Sequence, residues 1–143
     1  MKQIFTRSLQ HGGIDVALLF VRIAIAALML THGLPKLGML FSSETVEFPG
    51  IFGMSATLSL GLAVFAEVIC SLLVFVGLGT RFAAIPLIFT MGIAAFYIHG
   101  TDPFSTKEMA ILYLIGFSFL FIAGAGKYSF DNLIARRLQP AHA

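Results

Sequence analysis

The chain is short of nearly everything a water-soluble protein puts on its surface. Only 11% of its 143 residues are charged, against about 25% in a soluble domain of average usage. Apolar residues make up 58%, and the mean hydropathy is +0.95. A chain this small cannot bury so much apolar material in its own core, so much of it must face lipid. Cysteine occurs once, at Cys70. That excludes an internal disulfide, a CxxC redox pair and a thiolate metal cage, and leaves Cys70 as a small packing residue. Net charge is only +2, with no basic run, so nucleic acid is not an expected partner. Tryptophan is absent, and Tyr97 and Tyr128 are left to serve as belt aromatics at opposite interfaces. No lipidation box is present. No cleavable leader is expected either. Lys2 and Arg7 precede the first apolar run, but His11, Asp15 and Arg22 interrupt its flank, and the run is long enough to remain as an anchor.

What is present is apolar length. Four runs reach the ~17 residues that a spanning helix needs at the least: about 14–34, 55–78, 82–99 and 107–125. The predicted fold class is therefore all-α, a four-transmembrane-helix bundle, with residues 1–143 forming one integral membrane domain. Gly77-Leu78-Gly79-Thr80-Arg81 is too short for anything but an antiparallel turn between the second and third spans. His99 to Pro103 ends the third span, and Gly124-Ala125-Gly126 ends the fourth. The one long connection, Pro35 to Met54, mixes Phe41, Phe48, Ile51 and Phe52 with polar and turn residues. It is expected as a loop or short helix at the interface.

Lysine and arginine set the expected orientation. With the N-terminus inside, Lys2, Arg7, Arg81, Lys127, Arg136 and Arg137 fall on the cytoplasmic side, and only Lys36 and Lys107 fall outside. Both termini are thus predicted to be cytoplasmic. Residues 128–138 alternate apolar and basic side chains, as an amphipathic tail on the inner membrane face would.

Two polar groupings stand out. Arg22 and Glu67 each lie alone within an apolar run. A charge at that depth costs ~2.5–3.5 kcal/mol on insertion scales, so each should face the interior and find a partner. Measured from the same side, Arg22 is ~12 Å deep and Glu67 ~16 Å deep, and a long arginine side chain covers the difference. Ser59, Ala63, Ala66, Cys70 and Ser71 lie at helical spacing around Glu67, a stripe of small residues that lets helices approach closely. The expected pair Arg22–Glu67 serves either as a structural lock or as a proton or ligand site. The second grouping collects His32, Lys36, His99 and Glu108 at the outer ends of three spans. They are expected to converge on a cavity walled by Phe96, Tyr97 and Tyr113, suited to a quinone or small anion, unless each simply sits at the water interface. Glu108 also fits the favoured charge for a helix N-terminus. No HxxxH or ExxH spacing supports a metal site.

These residues, in this order, resemble the DoxX family of small bacterial inner-membrane proteins. The matching pieces are Arg22, then Thr31-His32-Gly33-Leu34-Pro35-Lys36-Leu37, Glu67, Gly77-Leu78-Gly79-Thr80-Arg81, His99-Gly100-Thr101-Asp102-Pro103-Phe104, Lys107-Glu108 and Gly124-Ala125-Gly126-Lys127-Tyr128-Ser129-Phe130-Asp131. They span about residues 15–133. The chain departs from the pattern at Ala125, where many members have proline, which touches only a helix end. The resemblance implies a four-span bundle. It also implies kinship with DoxD, a subunit tied to thiosulfate oxidation with quinone as acceptor, and with proteins of membrane complexes that handle thiol and oxidative stress. The resulting expectation is an accessory membrane subunit of a redox or quinone-linked complex, with protein partners or further copies of itself. A non-enzymatic scaffold or anchor and a small transporter are the alternatives. Haem-ligand histidine pairs, flavin motifs and iron–sulfur cysteines are lacking, so an enzyme acting alone is the least supported reading.

Overall fold

The computed structural model describes residues 11–42 and 46–138. Everything regular in it is helical: α1 (His11–Phe41), α2 (Ala56–Val76), α3 (Thr80–Ile98), α4 (Phe104–Ala123) and the short α5 (Phe130–Leu138). The first four are long and apolar enough to cross a membrane. They form an up-and-down bundle in which α1 packs on α2, α2 on α3 and α3 on α4, while α4 returns to α1. The apolar pattern is turned inside out relative to a soluble bundle. Phe20, Phe82, Phe89, Phe96 and Ile122 point outward with 64–82% of their surface exposed, where lipid tails replace water as the solvent.

The centre is filled from all four spans. Leu18, Ala26 and Met29 of α1 meet Cys70 and Val74 of α2, Leu87 and Met91 of α3, and Phe117 and Leu120 of α4. A second cluster joins α1 to the first half of α2: Leu60, Val64 and Val68 pack against Leu30, Leu37 and Leu40 and against Val46 and Phe48 of the following loop. That cluster explains a difference from the sequence expectation. The first span does not stop at Leu34. Its helix runs through Pro35 to Phe41. A proline inside a helix removes one backbone donor and crowds the preceding turn. Here Leu30, Leu37 and Leu40 keep helical phase across Pro35 and are held against α2, so tertiary packing overrides the local cost. The long connection is correspondingly shorter. The fourth span also starts early, at Phe104, directly after Pro103, which stands at its N-cap with extended backbone (ψ 151°).

Two of the helices are not uniformly α. Phe65–Cys70 in α2 and Ile93–Ile98 at the end of α3 are π-helical turns. Such turns recur at functional positions. The α2–α3 turn is closed by Gly77 in the left-handed region (φ 76°), with Leu78 N–H donating to Leu73 C=O and Gly77 N–H to Val74 C=O, the Schellman pattern.

The tail locks this end of the bundle. Ser129 caps α5, its Oγ accepting from Asn132 N–H. Asp131 then reaches back across the chain. Its Oδ1 accepts from Gly79 N–H at 2.6 Å and its Oδ2 from Thr80 N–H at 3.1 Å, which gives the N-terminus of α3 its missing acceptors. Asp15 accepts from Lys127 N–H, and Arg81 donates to Ile122 C=O. Beyond that anchorage α5 buries none of its residues, and Arg136 and Arg137 close its last turn.

α1 and α2 approach backbone to backbone at Gly33. A Cβ there would lie 2.9 Å from the backbone carbon and oxygen of Glu67 and from Val68 Cγ2. Neither backbone can yield without separating α1 from α2. Gly33→Leu is therefore expected to lower stability by at least the ~1–3 kcal/mol typical of overpacking, while Gly38→Leu, with open space around it, should leave it nearly unchanged. Thermal unfolding in detergent micelles compares the two.

Candidate functional site

Arg22 and Glu67 are both buried, with 2% and 1% of their surface exposed, but they do not pair. Arg22 turns toward the tail end of the bundle. Its Nη1 donates to Ala125 C=O at 2.5 Å and its Nη2 to Tyr128 C=O at 2.7 Å. The chain leaving α4 presents carbonyls that no helix ladder satisfies, and a long cationic side chain readily extends toward a helix C-terminus. Gly77 makes room for it, since a Cβ at Gly77 would come within 2.6 Å of Arg22 Nη1. Arg22 thus clamps the 124–128 segment rather than neutralising the second span.

Glu67 takes its partner from the other end. Lys36 Nζ donates to Glu67 Oε1 at 2.5 Å. The pairing follows from the uninterrupted α1: Lys36 lies one turn beyond His32 on the same helix face, above the Gly33 contact with Glu67. The two polar groupings expected from the sequence are therefore one, joined through Lys36 and Glu67, with Arg22 left to a separate role. The apolar phase of Leu30, Leu37 and Leu40 carried the signal that α1 continues past Pro35, and the proline obscured it.

A cavity of about 540 Å³ opens beside this pair. Phe48, Ile51 and Phe52 of the loop, Phe65 of α2, and Phe89 and Ile93 of α3 contribute to its apolar wall. Lys36, Glu67 and His99 supply the ionisable groups at its edge. Size and lining both suit a drug-sized ring molecule. The connection expected at the interface is thus part of the cavity wall. Ile51 N–H donating to Ser59 Oγ pins it to α2, and the Phe52 and Tyr97 rings meet at 5.1 Å. Lys36 Nζ also stands 5.9 Å from the centre of the Phe48 ring, within cation–π range.

A second, smaller cavity of about 190 Å³ shares Lys36, Glu67, Ala94 and His99 with the first. His32, Met109 and Tyr113 line it as well. His32, Lys36 and His99 do converge here from two spans. Glu108 does not: it is exposed at the start of α4 and lines neither cavity. Of the expected aromatic wall, Tyr113 is present, edge-on to His32 at 5.7 Å, whereas Phe96 and Tyr97 project outward and line neither cavity. Asp102, not singled out from the sequence, holds His99, with Oδ2 2.7 Å from Nδ1. Among the described residues no three His, Cys, Asp or Glu side chains gather as a metal site.

One atom in this arrangement has no partner among the described residues. Glu67 Oε2 is fully buried and receives no hydrogen bond. A carboxylate oxygen left bare in a low-dielectric setting is costly, and a hydrogen-bond donor from outside the chain would satisfy it.

A four-span membrane protein with a charged pair at the junction of two cavities is the class that fold and site define. The DoxX family model matches residues 17–100, and the chain belongs to that family. Two proteins of Haemophilus influenzae are similar along most of their length. One is 31% identical over 122 residues, 80% of this chain and 88% of the relative. The other is 29% identical over 135 residues, 90% of this chain and 89% of the relative. Both are named only as uncharacterized proteins. No solved structure matches.

The geometry predicts an asymmetric double-mutant cycle. Lys36→Met leaves a buried carboxylate alone and should cost about 3–5 kcal/mol. Glu67→Met leaves Lys36, 29% exposed, which can extend toward water and should cost less. The double variant should be more stable than Lys36→Met alone. Arg22→Leu should add independently to Glu67→Met, because they share no partner. Chemical unfolding of the three single variants and two doubles measures all of these terms, and strong coupling between positions 22 and 67 would contradict the separate roles.

Proposed function

We propose that this DoxX-family protein is an accessory membrane subunit of a redox complex, and that its larger cavity holds a lipophilic ring of the quinone class. The observation that carries the reading is the Lys36–Glu67 pair at the edge of an apolar cavity of about 540 Å³. Apolar walls with a few fixed polar groups at one end match a molecule with a greasy body and a polar head. The residues fit such a ring. The apolar side chains would hold its body, Lys36 and Glu67 its polar groups, and His99, steadied by Asp102, would complete the polar edge. A bound quinone would supply the electron-carrying capacity. The chain's own residues would orient the head and keep bulk water from it.

The same reading places the protein in the bacterial inner membrane with both termini cytoplasmic. Arg81, Lys127, Arg136 and Arg137 gather at the Gly77 end, and Lys36 and Lys107 at the other, in line with the positive-inside bias. A second reading, a membrane anchor that recruits soluble partners, draws on α5, which is tied to the bundle through Asp131 yet leaves its own surface free.

Two experiments test these readings. Gentle purification from native membranes, followed by identification of bound lipids, quinones and proteins, should recover a quinone and redox partners. Recovery should fall when Ala63→Phe fills the cavity, and a preparation carrying partners but no quinone would favour the anchor. Reporter fusions after Ala143 and within Ser42–Thr45 should report opposite compartments, and an external C-terminus would overturn the orientation.

A further inference from the structure

The bare oxygen of Glu67 bears on which chemical form of a ring the cavity takes. Glu67 lines both cavities, yet of its two oxygens only Oε1 is engaged, by Lys36, while Oε2 is buried without a partner among the described residues. A carboxylate oxygen accepts hydrogen bonds and, while ionised, donates none. Lys36 spends one of its three donors on Oε1 and none on Oε2. What Oε2 itself lacks is a donor.

The route into the cavity narrows the ligand further. Leu62, Phe65 and Phe89 line it and are also 50%, 50% and 64% exposed on the outer faces of α2 and α3. These are lipid-facing surfaces of two spans, so the cavity communicates with the bilayer between α2 and α3. On both helices a π turn lies beside the opening, Phe65–Cys70 on one and Ile93–Ile98 on the other. A molecule arriving this way must be soluble in lipid and must carry its polar group at one end.

We propose that the cavity selects the reduced, hydroxyl-bearing form of a membrane-soluble ring over its oxidised, carbonyl form, with Glu67 Oε2 accepting the hydroxyl hydrogen bond. The proposal rests on the reading that the larger cavity binds a quinone-class ring, and it makes Glu67 the specificity-determining residue of that site. A hydroxyl satisfies the bare oxygen. A carbonyl or an ether oxygen leaves it bare and adds lone-pair repulsion. Sites built around such a polar contact discriminate strongly against analogues that lack the matching group. Binding of the hydroxyl form involves no electron transfer, so the selection acts on affinity alone.

The test uses the full chain in nanodiscs of phosphatidylethanolamine and phosphatidylglycerol. Isothermal titration is run without oxygen with three probes: decyl-substituted hydroquinone, the corresponding quinone, and the hydroquinone dimethyl ether. The unaltered protein should bind the hydroquinone at least tenfold more tightly than either other probe. Glu67→Gln, which brings amide donors to the same place, should cut that preference below threefold or reverse it, while Glu108→Gln should keep it. If Glu67→Gln fails to fold, the contrast between hydroquinone and dimethyl ether on the unaltered protein decides alone. Equal binding of all three probes would overturn the selection while leaving the cavity reading in place. A preference for the quinone, or one that persists in folded Glu67→Gln, would overturn it too. Absence of binding by every probe would remove the selection together with the cavity reading beneath it.

Discussion

A carboxylate with 1% of its surface exposed has to be neutralised, and the upper half of this bundle is arranged around doing so. Lys36 reaches Glu67 only because α1 continues past Pro35. That continuation is held by Leu37 and Leu40 against α2. It also requires α1 to lie flush on the Glu67 backbone, which Gly33 permits by having no side chain. The ion pair, the straight helix and the glycine are three aspects of one arrangement. Buried pairs are weak sources of net stability, because desolvation offsets much of the attraction. The Lys36–Glu67 pair is better understood as a polar group held ready in an apolar wall.

The opposite end follows a different logic. Arg22, Asp15, Arg81 and Asp131 make no ion pair with one another there. Each instead contacts backbone groups that helix ends leave free: the carbonyls of Ala125, Tyr128 and Ile122, and the amides of Lys127, Gly79 and Thr80. The segment from Gly124 to Asp131 is thereby fastened to α1 and to the α2–α3 turn. The Gly-Leu-Gly-Thr-Arg and Gly-Ala-Gly-Lys-Tyr-Ser-Phe-Asp pieces that carried the family resemblance are the two sides of this fastening. Their residues serve the closure of the bundle, not the cavity.

Much of the fold was legible because lipid makes strict demands. Four apolar runs, their separating turns and the depth of Arg22 and Glu67 could all be read from the sequence, since a membrane accepts few alternatives. The pairing was not legible. Both Arg22 and Lys36 can serve a buried carboxylate, and charge and depth favoured Arg22. The choice was made by backbone carbonyls near residues 125–128, whose position depends on how the tail folds back. The cavity was half legible. His32, Lys36, His99 and Tyr113 were identified from their shared membrane end, while Phe48, Ile51 and Phe52 were placed in an interfacial loop. A single hydrogen bond from Ile51 to Ser59, invisible in any spacing rule, helps turn that loop into a wall.

The π turn in α2 has a geometric consequence beyond widening a helix. In a continuous α-helix Ser59, Ala63, Ala66, Cys70 and Val74 would form a single stripe. Inserting one residue into the ladder shifts the phase of everything after it by about 100° relative to everything before. The stripe is split accordingly: Ser59, Ala63 and Ala66 line the cavity, whereas Cys70 and Val74 enter the central core. Glu67 sits inside the slip itself. The helix therefore behaves as two short rods joined at the carboxylate, each with its own azimuth. Side chains on the first rod can vary to reshape the cavity without disturbing how the second is seated among its neighbours.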